Sequence, residues 1–192
     1  FTNSCAGTPA SAGASSSQPP TIPTVPPTLD DIIARKKQDL VRAKERTPLR
    51  ELEAMVAQED PPRNFFAAVT RHSTPAHTAV IAEIKRKSPS AGLIRPEYDG
   101  DSFEPERIAR RYHECGAAAI SCLTDEPFFG GHLSYIRRVK AAVPIPVLRK
   151  DFIIDPWQLL ESRAHGADAV LLIGECVTWG PLVDMLILAQ QL

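Results

Sequence analysis

The chain of 192 residues can form one domain with a sizeable core, and 43% of its residues are hydrophobic, as in ordinary globular proteins. Its net charge is −1 with no basic block, which argues against a nucleic-acid or anionic-membrane partner and favours a small molecule. No apolar run approaches the roughly 20 residues that cross a bilayer, and the four cysteines lack metal-ligand spacing, so we predict a cytoplasmic protein with reduced thiols and without a metal or cofactor.

The first 27 residues contain no charged side chain and consist largely of Ser, Pro, Ala, Thr and Gly. Such a composition cannot bury enough apolar surface to offset the entropy of the chain. We therefore predict a disordered tail or linker over residues 1–27 and a folded part over residues 28–192.

An amphipathic helix is predicted directly after this tail. Thr28 is a suitable N-cap, and residues 29–45 carry acidic side chains early and basic side chains late. The apolar residues of this segment share one helical stripe, which consists of Leu29, Ile32, Ile33, Leu40 and Val41. A second, shorter helix is predicted over residues 48–58, and residues 61–66 are predicted to connect it to the rest of the fold.

The remaining residues alternate between apolar runs and helical patterns with the period of βα units. The predicted strands cover residues 79–84, 118–123, 146–148 and 169–173, and the predicted helices cover residues 105–114, 133–142, 156–166 and 181–191. The last strand, AVLLI, is apolar throughout, as in a parallel strand covered on both faces. The pattern predicts an α/β fold with about four βα units.

Charged residues are concentrated at the ends of the first and third predicted strands. The alternation of side chains along a strand places Glu83 and Lys85 on one face, and Pro89 ends the strand soon after. Lys150 follows Leu148 on one face of the third strand. Because the carboxyl ends of parallel strands meet at one edge of a sheet and carry the active sites of α/β proteins, these three residues are candidate catalytic groups. The alternative is that they are strand-end charges that face solvent or pair with one another.

Three segments carry a resemblance to a known family: AEIKRKSPS at Ala82–Ser90, TDEPFFGG at Thr124–Gly131 and PVLRKDFI at Pro146–Ile153. In content, order and spacing they resemble the indole-3-glycerol phosphate synthase family, and the resemblance extends from about Leu29 to the last residue. It implies a (β/α)8 barrel with an extra N-terminal helix that helps to cover the active site. It also implies conversion of 1-(2-carboxyphenylamino)-1-deoxyribulose 5-phosphate into indole-3-glycerol phosphate, with loss of carbon dioxide and water, in tryptophan biosynthesis.

The resemblance also implies roles for the three charged residues. Lys150 would donate a proton to the sugar carbonyl oxygen when the aromatic ring carbon attacks. Lys85 would hold the anthranilate carboxylate and supply a proton in the dehydration, although the division of labour between the two lysines stays open. Glu83 would accept or relay a proton.

Three further residues are candidate substrate-binding groups. Ser88 begins the loop after the first strand, where its hydroxyl either contacts substrate or stabilises a turn. Phe129 and Phe152 are predicted on the loops after the second and third strands, where they either enclose the anthranilate ring or serve ordinary packing. The histidines have no ligand spacing, and none is assigned to a metal.

Four βα units are half of an eight-unit barrel, which typically needs about 250 residues. We therefore expect a truncated enzyme that is inactive alone, with a fused or complementary barrel half as a partner besides the phosphorylated substrate. One alternative is another phosphate-binding barrel of the same pathway, such as phosphoribosylanthranilate isomerase, but its reaction gives no role to the Glu83, Lys85 and Lys150 set. The other alternative is a non-catalytic half-barrel interaction module.

Overall fold

A computed structural model describes residues 26–71 and 78–192, so residues 1–25 of the predicted tail lie outside the described residues. The α-helices of these two ranges are α1 (Leu29–Arg46), α2 (Leu49–Val56), α3 (Phe65–Thr70), α4 (Pro105–Glu114), α5 (Glu126–Phe129), α6 (Tyr135–Ala142), α7 (Pro156–Ala164) and α8 (Trp179–Gln191). The strands of the same ranges are β1 (Ile81–Ile84), β2 (Lys87–Ser88), β3 (Gly92–Leu93), β4 (Ala119–Leu123), β5 (Val147–Lys150) and β6 (Ala169–Val170).

Four of these strands form one parallel sheet in the order β1-β4-β5-β6. Helix α4 lies between β1 and β4 in the chain, α6 between β4 and β5, and α7 between β5 and β6. Neighbouring strands of the sheet therefore follow one another in sequence, as the strands of a (β/α)8 barrel do. The predicted α/β class and the four predicted βα units are confirmed.

The main hydrophobic core lies between the sheet and the helices that connect its strands. Ile84, Ile120 and Val147 belong to this core together with Ile136 of α6. Because successive side chains of a strand point to opposite faces, Glu83 and Lys150 point away from the core. The candidate catalytic residues thus lie on the face that corresponds to the interior of a barrel.

Cys122 lies within this core and provides a test of its packing. Its side chain is fully buried, and burial raises the pKa of the thiol to about 12, whereas Cys115 is exposed. Because the thiolate is the reactive form, we expect a maleimide to label Cys115 and to leave Cys122 unlabelled until urea unfolds the protein. Tandem mass spectrometry of the labelled peptides measures both sites, and equal labelling in the folded protein would contradict the buried position.

The last strand of the sheet is shorter than predicted. The apolar run predicted a strand over residues 169–173, whereas β6 comprises only Ala169–Val170. β6 pairs with β5 and, among the described residues, with no second strand that would extend its ladder. By contrast, β5 pairs with β4 as well and continues to Lys150, beyond the predicted end at residue 148.

The sequence patterns did not predict α3, α5 or the antiparallel hairpin of β2 and β3. Asn64 caps α3 by accepting a hydrogen bond from the N–H of Ala67 at 2.7 Å, and Asp125 caps α5 by accepting one from the N–H of Phe128 at 2.9 Å. Such short elements depend on local capping and are too short to show hydrophobic periodicity. Phe129 therefore lies at the end of a short helix, and its predicted position on a loop was wrong.

Helix α1 begins as predicted, with Thr28 as its N-cap in a capping box with Asp31. Its residues Leu40 and Ala43 pack against a small cluster that contains Trp157 of α7. The indole N–H of Trp157 donates a hydrogen bond to the carbonyl of Thr47 at 3.1 Å. These contacts place the N-terminal helix against the start of α7, close to the carboxyl end of β5.

Candidate active site

Glu83 lies between the two candidate catalytic lysines. One of its carboxylate oxygens is 2.8 Å from Nζ of Lys85, and the other is 3.9 Å from Nζ of Lys150. All three side chains are about one-third exposed, at 33%, 34% and 36%. The structure therefore brings the three predicted residues together in a site that a small molecule can reach, while their catalytic roles stay a prediction.

The parallel sheet explains why residues so distant in sequence meet. β1 and β5 flank β4, and Ser121 of β4 pairs with Glu83 on one side and with Leu148 on the other. Lys150 is the last residue of β5, and its side chain reaches across β4 to Glu83. Because the carboxyl ends of parallel strands share one edge of a sheet, one carboxylate can serve both lysines.

The two candidate aromatic residues contact each other at the same edge of the sheet. The ring centroids of Phe129 and Phe152 are 6.1 Å apart and the ring planes are inclined by 41°. Neither side chain is fully buried. A tilted, partly exposed aromatic pair offers an apolar surface to a flat ring.

Ser88 lies in β2, and its hydroxyl accepts a hydrogen bond from the N–H of Ala91 at 3.2 Å. This bond stabilises the hairpin turn, which is one of the two roles that the sequence left open. A contact between Ser88 and substrate stays a prediction.

The sequence analysis missed a buried carboxylate beside the site, that of Asp151. It accepts hydrogen bonds from the hydroxyl of Thr124 at 2.6 Å and from the backbone N–H of Phe152 at 2.8 Å. It is also paired with Arg149 at 3.0 Å and with Lys36 of α1 at 2.7 Å. A charged group that is almost fully buried is thus surrounded by donors, as burial of a charge requires.

Opposing effects act on the ionisation of Asp151. Burial disfavours the carboxylate, but the positive charges of Arg149 and Lys36 outweigh it and hold the pKa of Asp151 well below its ordinary value of 3.8. The pKa of Lys36 is raised, because its attraction to Asp151 and Asp125 exceeds the effect of its own burial. Asp151 is therefore ionised at any pH at which the protein would work.

This lowered pKa predicts how the stability contributed by Asp151 depends on pH. A group whose pKa is depressed by folding stabilises the protein fully above its unfolded pKa and loses that contribution as the pH falls through the folded pKa. We expect the difference in free energy of unfolding between the wild type and Asp151→Asn to be constant from about pH 8 to about pH 5 and to shrink below about pH 4. Urea titrations at a series of pH values measure it, and a difference that shrank between about pH 7 and pH 5 would contradict the lowered pKa.

One signal in the sequence could have revealed Lys36. It lies four residues after Ile32 and four before Leu40, so all three residues share one face of α1. A lysine within an apolar stripe indicates a buried partner of opposite charge. Asp125 and Asp151, by contrast, carry no such signal, because an aspartate after a strand is common in loops.

A cleft of about 1180 Å³ opens along the edge of β1 and includes Glu83 and Lys85 but not Lys150. Its other wall is formed by α4 and by the segment before it, including Tyr98 and Tyr112. Among the described residues β1 pairs only with β4, so its other edge is open and borders the cleft. The volume of the cleft therefore includes the space along this open edge as well as the space from which a small molecule can reach Glu83. The site is thus better defined by the ion pairs than by the shape of this cleft.

Within ranges 26–71 and 78–192, no group of three or more His, Cys, Asp or Glu side chains could hold a metal ion. None of the helices described there is long and apolar enough to cross a membrane.

Sequential parallel βα units with a polar site at the carboxyl edge define the chain as a (β/α)-barrel protein. The model of the family described as indole-3-glycerol phosphate synthase matches residues 29–192. The chain belongs to this family, whose fold is the (β/α)8 barrel, and the predicted membership is confirmed.

Similar proteins from three bacteria carry the same name, indole-3-glycerol phosphate synthase. The chain is 48% identical to the protein of Acidithiobacillus ferrooxidans over 164 residues, which are 85% of this chain and 60% of the relative. It is 47% identical to that of Rhodopirellula baltica over 157 residues (82% and 58%) and 46% identical to that of Rhodospirillum rubrum over 145 residues (76% and 53%). The chain thus spans a little over half the length of these relatives.

Proposed function

We propose that this chain provides the first part of the active site of an indole-3-glycerol phosphate synthase, a carbon-carbon lyase that acts on a phosphorylated small molecule. The observation that carries the proposal is the position of the Glu83 carboxylate between Lys85 and Lys150. Two proton donors and one acceptor at the carboxyl edge of a parallel sheet suit a reaction that needs proton transfers at several substrate atoms.

The three residues divide the proton transfers. Lys150 donates a proton to the sugar carbonyl oxygen as the ring carbon that bears the carboxylate attacks, and carbon dioxide then leaves that carbon. Lys85 binds the carboxylate beforehand and supplies a proton when the new hydroxyl leaves as water. Glu83 accepts the proton that the substrate carbon next to the nitrogen loses as the water leaves, and passes it to Lys85, for which the 2.8 Å distance is short enough. Solvent returns the proton that Lys150 has donated, since the side chain of Lys150 is 36% exposed and its Nζ lies 3.9 Å from Glu83.

The aromatic pair and Ser88 complete the proposed substrate site. Phe129 and Phe152 enclose the anthranilate ring, and their tilted arrangement leaves ring faces open to a third aromatic group. Ser88 contacts the substrate from the hairpin through its backbone or hydroxyl, while the hydroxyl keeps its bond to Ala91.

The proposal includes the organisation and location of the protein. Residues 28–192 form part of the barrel, and a fused or complementary half provides the other strands. The protein works in the cytoplasm. In support, Cys115, Cys122 and Cys176 are free thiols, as expected in a reducing compartment.

The experiment uses a completed chain, which we define as this chain followed by the part of the Acidithiobacillus ferrooxidans relative that lies beyond the match. We expect the completed chain to form indole-3-glycerol phosphate, followed by its fluorescence, and the 192-residue chain alone to form none. A folded completed chain without this activity would overturn the proposal.

The same preparation tests the isomerase alternative. Phosphoribosylanthranilate is offered in place of the synthase substrate, and we expect no turnover, because that isomerisation gives no role to Glu83, Lys85 and Lys150 as a set. Turnover of phosphoribosylanthranilate alone would favour the isomerase.

A further inference from the structure

We propose that Lys36 of α1 is a positioning residue, which fixes Asp151 and thereby the segment that carries Lys150 and Phe152. The inference rests on the proposed function of Lys150. It assigns to the N-terminal helix a part in catalysis that differs from covering the substrate.

Lys36 links two loops at the carboxyl edge of the sheet. Its Nζ is 2.9 Å from Oδ2 of Asp125, which follows β4, and 2.7 Å from Oδ1 of Asp151, which follows β5. The lysine side chain is 12% exposed and the two aspartates are 1% and 2% exposed. The ammonium group of Lys36 therefore holds together the loops that follow β4 and β5. Because all three side chains are nearly buried, water has little access to the carboxylates in place of the ammonium group.

The two oxygens of Asp151 have different partners. Oδ1 accepts the N–H of Phe152 at 2.8 Å and is the oxygen paired with Lys36. Oδ2 accepts the hydroxyl of Thr124 at 2.6 Å and is paired with Arg149 at 3.0 Å. Without Lys36, only the neutral N–H of Phe152 holds Oδ1 against the Arg149 cation on the Oδ2 side, so the carboxylate moves towards Arg149.

A movement of Asp151 reaches the proposed catalytic atom directly. Asp151 is the residue between Lys150 and Phe152, and its carboxylate holds the backbone N–H of Phe152. A displacement of its backbone therefore changes where Nζ of Lys150 lies relative to Glu83 and the substrate. A misplacement of about 1 Å at a reacting group can cost about a hundredfold in rate.

The docking of α1 does not depend on Lys36 alone. Lys44 is paired with Asp155 at 2.7 Å, and Leu40 and Ala43 pack near Trp157. Lys44 is thus a matched control, since it is a second lysine of α1 that pairs with an aspartate of the same region without touching Asp151.

The experiment measures turnover in the completed chain with Lys36→Met, Lys36→Arg and Lys44→Met, each at a temperature at which circular dichroism shows the variant folded. We expect Lys36→Met to lower kcat about tenfold with KM changed less than about threefold, because a misplaced general acid affects the chemical step. Lys36→Arg restores kcat to within about threefold of the wild type, and Lys44→Met stays within about twofold. A folded Lys36→Met with wild-type kcat would overturn the inference, as would an equal loss in Lys44→Met.

A double variant separates positioning from a general loss of structure. In a chain that already carries Lys150→Ala, we expect Lys36→Met to lower the residual rate less than about twofold, because the group it positions is absent. A further tenfold loss would show that Lys36 acts independently of Lys150 and would overturn the inference. If Lys36→Met does not fold, Lys36→Gln takes its place with an expected loss of about threefold or more.

The outcomes distinguish this inference from the proposed function. An inactive completed chain, or one that is indifferent to Lys150→Ala, contradicts the proposed function. An active completed chain that depends on Lys150 but not on Lys36 contradicts only the positioning role.

Discussion

Lys150→Ala lowers kcat of the completed chain at least about a hundredfold, the usual size of a general-acid contribution. The lysine ends β5 with its Nζ 3.9 Å from the carboxylate of Glu83, and its side chain is 36% exposed, so its loss removes a proton donor without opening the core. The folded fraction is therefore unchanged. The increase in the fluorescence of indole-3-glycerol phosphate with time measures the rate, and circular dichroism measures whether the variant is folded.

Lys37→Ala is the control for this prediction. Lys37 is an exposed residue of α1, and its removal deletes the same side chain without touching the site, so kcat stays within about twofold of the wild type. Near-normal turnover by a folded Lys150→Ala variant would remove Lys150 from the mechanism.

Asp168→Ala lowers the free energy of unfolding by about 3–5 kcal/mol, the cost of breaking a buried ion pair from one side. The side chain of Asp168 is 0% exposed and is paired with Lys140 at 2.7 Å. Its carboxylate also accepts the backbone N–H groups of Arg63 at 2.8 Å and Val147 at 2.9 Å. The substitution leaves the N–H groups of Arg63 and Val147 without an acceptor, and it leaves Lys140 with only its bond to the carbonyl of Gly166 at 2.9 Å.

Asp39→Ala provides the matched control, because Asp39 is also paired with a basic residue but at the surface. The pair of Asp39 with Arg35 lies within α1 and is 31% and 49% exposed, so its loss costs only about 0.3–0.5 kcal/mol. Urea titration of the completed chain measures both variants. Equal losses for the two aspartates would show that Asp168 is not held in a buried network.

Elements with a complete local signal were predicted well. Helix α4 spans Pro105–Glu114 as predicted, because a proline at its start and Gly116 after its end mark both boundaries. β6 was predicted too long, because the apolar run at residues 169–173 indicates how buried a strand would be but not which neighbours it has. The length of a strand depends on its partners, which the local sequence does not contain.

In the candidate site, too, some contacts could be predicted from the sequence and others could not. The proximity of Glu83 and Lys85 follows from the alternation along one strand, and their proximity to Lys150 follows from the parallel arrangement of the sheet. The link from Lys36 to Asp151 could not be predicted in the same way. It depends on how α1 docks on the sheet, and no periodic pattern in the sequence indicates this tertiary contact.

The docking of α1 also has a consequence for the order of folding. Its contacts with the body are distant in sequence: Lys44 and Asp155 are 111 residues apart, and Thr47 and Trp157 are 110 apart. Contacts between distant residues form late, because a long loop must first be closed. During synthesis, α1 therefore leaves the ribosome before β5 and α7 exist, and it lacks the tertiary packing from which most of the stability of a helix comes. Its apolar stripe, with Ile32 and Leu40, is then open to chaperones until β5 and α7 have been made.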